Sequence, residues 1–194
     1  MMKKILIGLA IVVGLVIACV AAIVIFVDDS KASYVNNFIT QIHEEQTDEK
    51  GKEITEASFT FINEHSELFP TASYTFTDDN MNDNLSGEDL ERNLNRETDR
   101  LFNHIGTIYD YYEVEWKGFM GENIIVSYIF VKDWSGYHYQ LFYLDETDFQ
   151  IGDEIYFVAL PLMHSYYGNK GGGQTDVFMA LASFVDLAPE LEEE

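Results

Sequence analysis

A single cysteine, Cys19, stands among 194 residues, with three prolines and only 11 lysines and arginines against 34 aspartates and glutamates. One thiol excludes an intrachain disulfide, and because Cys19 sits in an apolar run it excludes thiol catalysis in the rest of the chain. The shortage of positive charge, a net of −23, removes the phosphate-neutralising surface on which most nucleic-acid affinity rests. Catalytic signatures are missing too: there is no Gly-x-Ser-x-Gly elbow, Walker loop or His-Glu-x-x-His helix. The five histidines, His43, His65, His104, His138 and His164, lack metal-ligand spacing. No catalytic residue is identified, and the chain reads as a non-enzyme.

What the chain does have is a run of 23 uncharged residues, 5–27, preceded by Lys3 and Lys4 and followed by Asp28 and Asp29. At about 1.5 Å per residue a helix of that length reaches roughly 34 Å, enough to cross a bilayer's hydrocarbon layer of about 30 Å. Basic residues favour the amino-terminal side, so the short end is expected in the cytoplasm and residues 28–194 outside, as a single-pass cell-membrane protein. That outer part carries nine basic against 34 acidic residues, a net of −25. Two other readings of the run concern processing. Val16-Ile17-Ala18-Cys19 looks like a bacterial lipoprotein box that would lipidate Cys19, and signal cleavage is the other; the apolar stretch continuing to Val27 and the lack of an Ala-x-Ala site favour the intact anchor.

Beyond the anchor (1–27), four parts are expected. Tyr34, Val35, Phe38, Ile39 and Ile42, then Ile54, Ala57, Phe61 and Ile62, recur at helical spacing and give a helical hairpin stalk over 28–70. A polar loop and short helix, the latter opened by the capping spacing Ser86 to Asp89, fill 71–100. Runs dense in Ile, Val, Tyr and Phe between Gly, Asp and Asn clusters then predict five strands over 101–188: 104–116, 123–131, 137–144, 154–160 and 177–187. An acidic tail, 189–194, ends the chain.

Leu90-Glu91-Arg92-Asn93-Leu94-Asn95-Arg96 leading into Leu101-Phe102-Asn103-His104-Ile105-Gly106-Thr107-Ile108, and the Gly-Asp turn in Phe149-Gln150-Ile151-Gly152-Asp153-Glu154-Ile155-Tyr156-Phe157, resemble bacterial exported proteins of the tRNA-anticodon-like OB group. The long connection 161–176 before Val177-Phe178-Met179-Ala180-Leu181 is similar to theirs. The resemblance covers residues 90–187 and implies an α+β chain whose carboxy-terminal part is a five-stranded, antiparallel, OB-like β-barrel, with Gly106 and Gly152 at backbone-critical positions. Two departures stand out. Asp145-Glu146-Thr147-Asp148 is too short for the helix usual between the third and fourth strands. Residues 101–187 hold three lysines and no arginine against 12 acidic residues, so the nucleic-acid ligand common among OB domains is not expected. The remaining reading is an extracytoplasmic binding or interaction module with a protein or glycan partner across Tyr109, Tyr111 or Trp134.

One polar cluster suggests an alternative. Asp78, Asn80, Asn82, Asn84, Ser86 and Asp89 occupy positions 1, 3, 5, 7, 9 and 12 of a calcium loop, with Asp83 where the turn wants glycine and Asp89 where a longer glutamate is usual. This makes a calcium-dependent structural or adhesion protein the second functional expectation, with Ca²⁺ held weakly; a solvated turn is the simpler account of the same residues.

Overall fold

The structure, a computed structural model, describes residues 31, 33–45, 53–72, 74, 76–77, 79–118, 123–168 and 172–189. The apolar run 5–27 with Cys19, and Asp78, lie outside them. Among the described residues no helix is long and apolar enough to cross a membrane. Helix α1 spans 33–45, and its stripe Val35, Phe38, Ile39 and Ile42 is buried. Helix α2, Glu56–Glu64, begins at Thr55, whose hydroxyl accepts the Ser58 amide at 3.2 Å. Helix α3, Gly87–Asn93, opens with the reciprocal Ser86–Asp89 capping box and tightens into a 3₁₀ turn over Leu94–Arg96.

Five strands follow: β1 Phe102–Lys117, β2 Asn123–Asp133, β3 His138–Tyr143, β4 Glu154–Gly168 and β5 Gln174–Leu187. Their pairing closes into a ring in the order β1-β2-β3-β5-β4, with β4 back on β1. Four of the pairs are antiparallel, but β3 and β5 run parallel, which corrects the expected all-antiparallel sheet. The reason is parity: directions cannot alternate around a ring of five, so one neighbouring pair must agree. The sheet is therefore mixed and the fold α+β. A second correction concerns 161–176, expected as a long loop. Most of it is strand, because β4 runs on through His164 to Gly168 and β5 starts at Gln174. Pro161 is accommodated because the β4–β5 register shifts between Pro161 and Met163, the kind of irregularity that tolerates a missing amide donor.

β1 is the strand that closes the ring, pairing with β4 over 102–107 and with β2 over 106–117. At the changeover Gly106 faces Asp133 on one side and Ile155 on the other. A Cβ there would lie 2.6 Å from Val131 Cγ1 and 2.7 Å from the Lys132 carbonyl oxygen, so the position accepts only glycine without movement. Gly152, in the turn before β4, has φ 102°, a left-handed conformation that glycine adopts without steric cost.

The ring separates two apolar clusters. Phe102, Ile129, Tyr139, Leu141, Phe157 and Ala180 pack on its inner face, sealed at one end by Leu85 and Leu90 of the α3 segment. On the outer face, Val126, Phe142, Val158, Leu160, Met179 and Leu181 form one core with Phe38, Ile39, Phe61 and Ile62 of α1 and α2. The segment expected as a stalk thus packs its stripe on the sheet. Each fully buried Leu, Ile or Phe contributes roughly 1.5–3 kcal/mol of transfer free energy. Covering both faces also explains why β4 and β5 read as continuous apolar runs without alternation. The short β3–β4 connection is tied down by Glu113, whose carboxylate accepts Tyr111 Oη at 2.5 Å and the Thr147 amide at 3.1 Å. Phe149 of the same connection packs against the inner cluster.

Candidate functional site

A concavity of about 620 Å³ opens at the end of the ring where α3 begins, between the start of β1, the β2–β3 turn and the start of β4. Its turn is organised by Asp133. One carboxylate oxygen accepts the Tyr137 amide at 2.9 Å and the other accepts Tyr139 Oη at 3.0 Å, while Gly136 supplies the positive φ of 94° that brings the chain back. This leaves Trp134 at the turn's apex, 78% exposed. On the facing wall Gly87 opens α3 directly against the Tyr137 ring; a Cβ on Gly87 would lie 2.3 Å from Tyr137 Cδ2. Tyr156 of β4 completes the aromatic lining and packs edge-on to Tyr74 with centroids 5.7 Å apart.

His104 lies at the inner rim of this cleft among Phe102, Tyr139 and Phe157, with centroids at 5.6, 5.4 and 6.2 Å. Its Nε2 is buried and has no hydrogen-bond partner. Burial pulls the imidazole below its ordinary pKa of 6.5, against the opposing pull of Asp133, so the ring is neutral near pH 7. Asp133 and Glu88 line the cleft, and no lysine or arginine does. Two further, exposed carboxylates bond to lining residues: Asp83 accepts from Asn103 Nδ2 at 3.2 Å and Glu91 accepts from Tyr137 Oη at 3.3 Å. Glu88 pairs with Arg92 one turn along the exposed face of α3. The site thus offers aromatic faces, negative charge and a neutral imidazole.

At the opposite end of β2 a groove of about 600 Å³ brings Lys31 and Pro70 beside Asn123, Ile124 and Ile125. The Lys31 ammonium donates to the carbonyls of Pro70 at 2.8 Å and Glu67 at 3.0 Å. A smaller cavity of about 250 Å³ gathers Glu91, His138, His164 and Asp176. Among the described residues no set of three His, Cys, Asp or Glu side chains is placed to hold a metal ion.

The three aromatics named as candidate ligand contacts, Tyr109, Tyr111 and Trp134, lie apart. Tyr109 is the extra residue of a bulge, the β1–β2 register shifting between Ile108 and Asp110, and it packs on the outer face against Phe130 and His138 at 6.1 and 5.1 Å. Tyr111 packs on the inner cluster and spends its hydroxyl on Glu113 and the Thr147 carbonyl. Only Trp134 lines the cleft. Of the calcium-loop residues, Asn80 and Asn82 bracket a bridge between Met81 and Leu101, and their side-chain oxygens accept the amides of Thr77 and Asn84. The Asp89 carboxylate accepts from the Ser86 amide and hydroxyl, and these bonds hold it below the usual carboxylate range. Residues 80–89 are thus engaged in turn and cap geometry. Sequence reasoning missed His104, Asp133, Tyr137 and Tyr156; the one available signal was Asp133-Trp134-Ser135-Gly136, a tight turn that places a tryptophan where turn residues are normally polar.

No family model matches this chain, and no curated protein matches it either.

Proposed function

We propose that this protein is a membrane-anchored, extracytoplasmic binding module without catalytic activity, built on an OB-like barrel, whose ligand site is the cleft beneath Trp134. A three-strand meander followed by two strands that return to the first supports the OB-like reading. The observation that carries the functional reading is where the cleft stands relative to Lys31, the first described residue after the apolar run. Lys31 follows the last apolar residue of the run, Val27, by four positions, and it sits at the Asn123 end of β2. The cleft is built on Asp133, at the other end of that 11-residue strand, about 33 Å away at roughly 3.3 Å per residue. If the chain is anchored through residues 5–27, an entry near Lys31 leaves the cleft at the end of the domain away from the bilayer, open to a partner arriving from outside. The charge of the outer part makes a polyanionic partner unfavourable.

A cysteine at Ser135, in a Cys19→Ser background, tests this reading in intact cells with a membrane-impermeant maleimide. Labelling without lysis is expected; labelling only after lysis would place the cleft in the cytoplasm and overturn it.

A further inference from the structure

We infer that the cleft binds a primary ammonium or guanidinium group carried on an apolar stem, the side chain of a lysine or arginine in a basic segment of a protein partner. The inference rests on the reading of the cleft as the ligand site and assigns its ligand class. Three aromatic side chains, Trp134, Tyr137 and Tyr156, line the cleft together with the carboxylates of Asp133 and Glu88. An organic cation is the ligand that gains from both, since its charge is attracted by the ring faces and the carboxylates while its methylenes cover apolar surface. The only basic side chain in the lining is His104, half-buried and with its pKa lowered by burial; Arg92, the fixed cation that reaches the lining residue Glu88, is already paired with it on the exposed face of α3. Asp83 and Glu91, exposed and bonded to Asn103 and Tyr137, add negative potential beside the lining. Trp134 is 78% exposed, an uncompensated area of apolar surface at a turn apex that a ligand stem would cover. With a net charge of −23, long-range attraction steers basic partners toward the domain, and the aromatic walls supply what a bare acidic surface lacks, a contact that survives salt. The cleft volume of about 620 Å³ leaves room for residues flanking the cation, which favours a peptide segment over a free amine.

The test is calorimetric titration of the full chain in lipid nanodiscs with tetralysine amide at about 0.15 M salt, where the screening length is roughly 8 Å and diffuse charge attraction is weak. Saturable one-to-one binding is expected. Trp134→Ala and Glu88→Gln, both at exposed positions, should each weaken it, Trp134→Ala by roughly tenfold. Asp176→Asn, an exposed carboxylate outside the cleft, should leave it unchanged. Binding that is equally strong in Trp134→Ala, or equally reduced in Asp176→Asn, would show general charge attraction and overturn the inference. Spermidine binding with tetralysine excluded would overturn the peptide assignment. A neutral tri-N-acetylchitotriose that binds in a Trp134-dependent way while tetralysine does not would overturn the cationic class, yet leave the cleft standing as the ligand site.

Discussion

Replacing Gly106 by alanine tests the way the ring closes, because this residue sits where β1 passes from β4 to β2. The added Cβ meets Val131 Cγ1 at 2.6 Å and the Lys132 carbonyl oxygen at 2.7 Å. The first is a side-chain methyl that a smaller residue would remove; the second belongs to the backbone of a paired strand and can yield only if the pairing moves. Overpacking of a filled core costs about 1–3 kcal/mol, and the backbone contact puts this case at the upper end. For a domain of this size each kcal/mol lowers Tm by roughly 2–4 °C, so Gly106→Ala should melt about 6–12 °C below the parent chain by circular dichroism. The double variant Gly106→Ala, Val131→Ala should be less destabilised than the sum of the two single changes, since Val131→Ala relieves one of the two contacts. An unchanged Tm in Gly106→Ala, or strict additivity in the double variant, would refute the described closure of β1 on β2.

Further outcomes follow from the same geometry. His104 and His138 are both pulled below their ordinary pKa of 6.5 by burial, with Lys132 adding to the effect at His138 and Asp133 opposing it at both; the unfolded chain therefore binds more protons below about pH 6.5. Stability should fall as pH drops from 7.5 to 5.5, and the fall should shrink in His104→Phe; a higher Tm at pH 5.5 would contradict the burial of these rings. Glu113→Gln should weaken the hydrogen bonds that hold the β3–β4 connection, costing about 1 kcal/mol and raising amide exchange at Thr147, whose N–H the carboxylate accepts at 3.1 Å; unchanged protection at Thr147 would refute that tie. An oligonucleotide titrated at low salt should show no binding; micromolar affinity that weakens with added salt would mean a cationic surface exists that the described residues do not present.

Much of the secondary structure was legible because its cause is local. The apolar spacing of α1, the Ser86–Asp89 box and the Gly-Asp turn before β4 each act within a few residues. What escaped depends on partners distant in sequence. β4 extends eight residues beyond its expected end at Leu160 because β5 pairs with it along its whole length, and no local signal shows that Pro161 falls at a register shift. The parallel β3–β5 pair follows from five strands in a ring, but only once closure is known. At the site, simple alternation would put Tyr109 and Tyr111 on one face. The bulge at Tyr109 breaks that alternation, leaving one ring outside against Phe130 and the other inside against the core. Trp134 was legible as an oddity in a turn, whereas its neighbours Tyr137, Tyr156 and His104 converge from the β2–β3 turn and two strands, over more than 50 residues of chain.

The central claim, a cleft that meets its partner at the end of the domain opposite Lys31, is tested most directly by photo-crosslinking in intact cells from a benzoylphenylalanine placed at Trp134 and, in a separate chain, at Ile125 beside Lys31. Discrete adducts from position 134, competed by tetralysine and absent from position 125, are the expected result. Adducts from 125 alone, or from 134 with no competition by the basic peptide, would contradict the account.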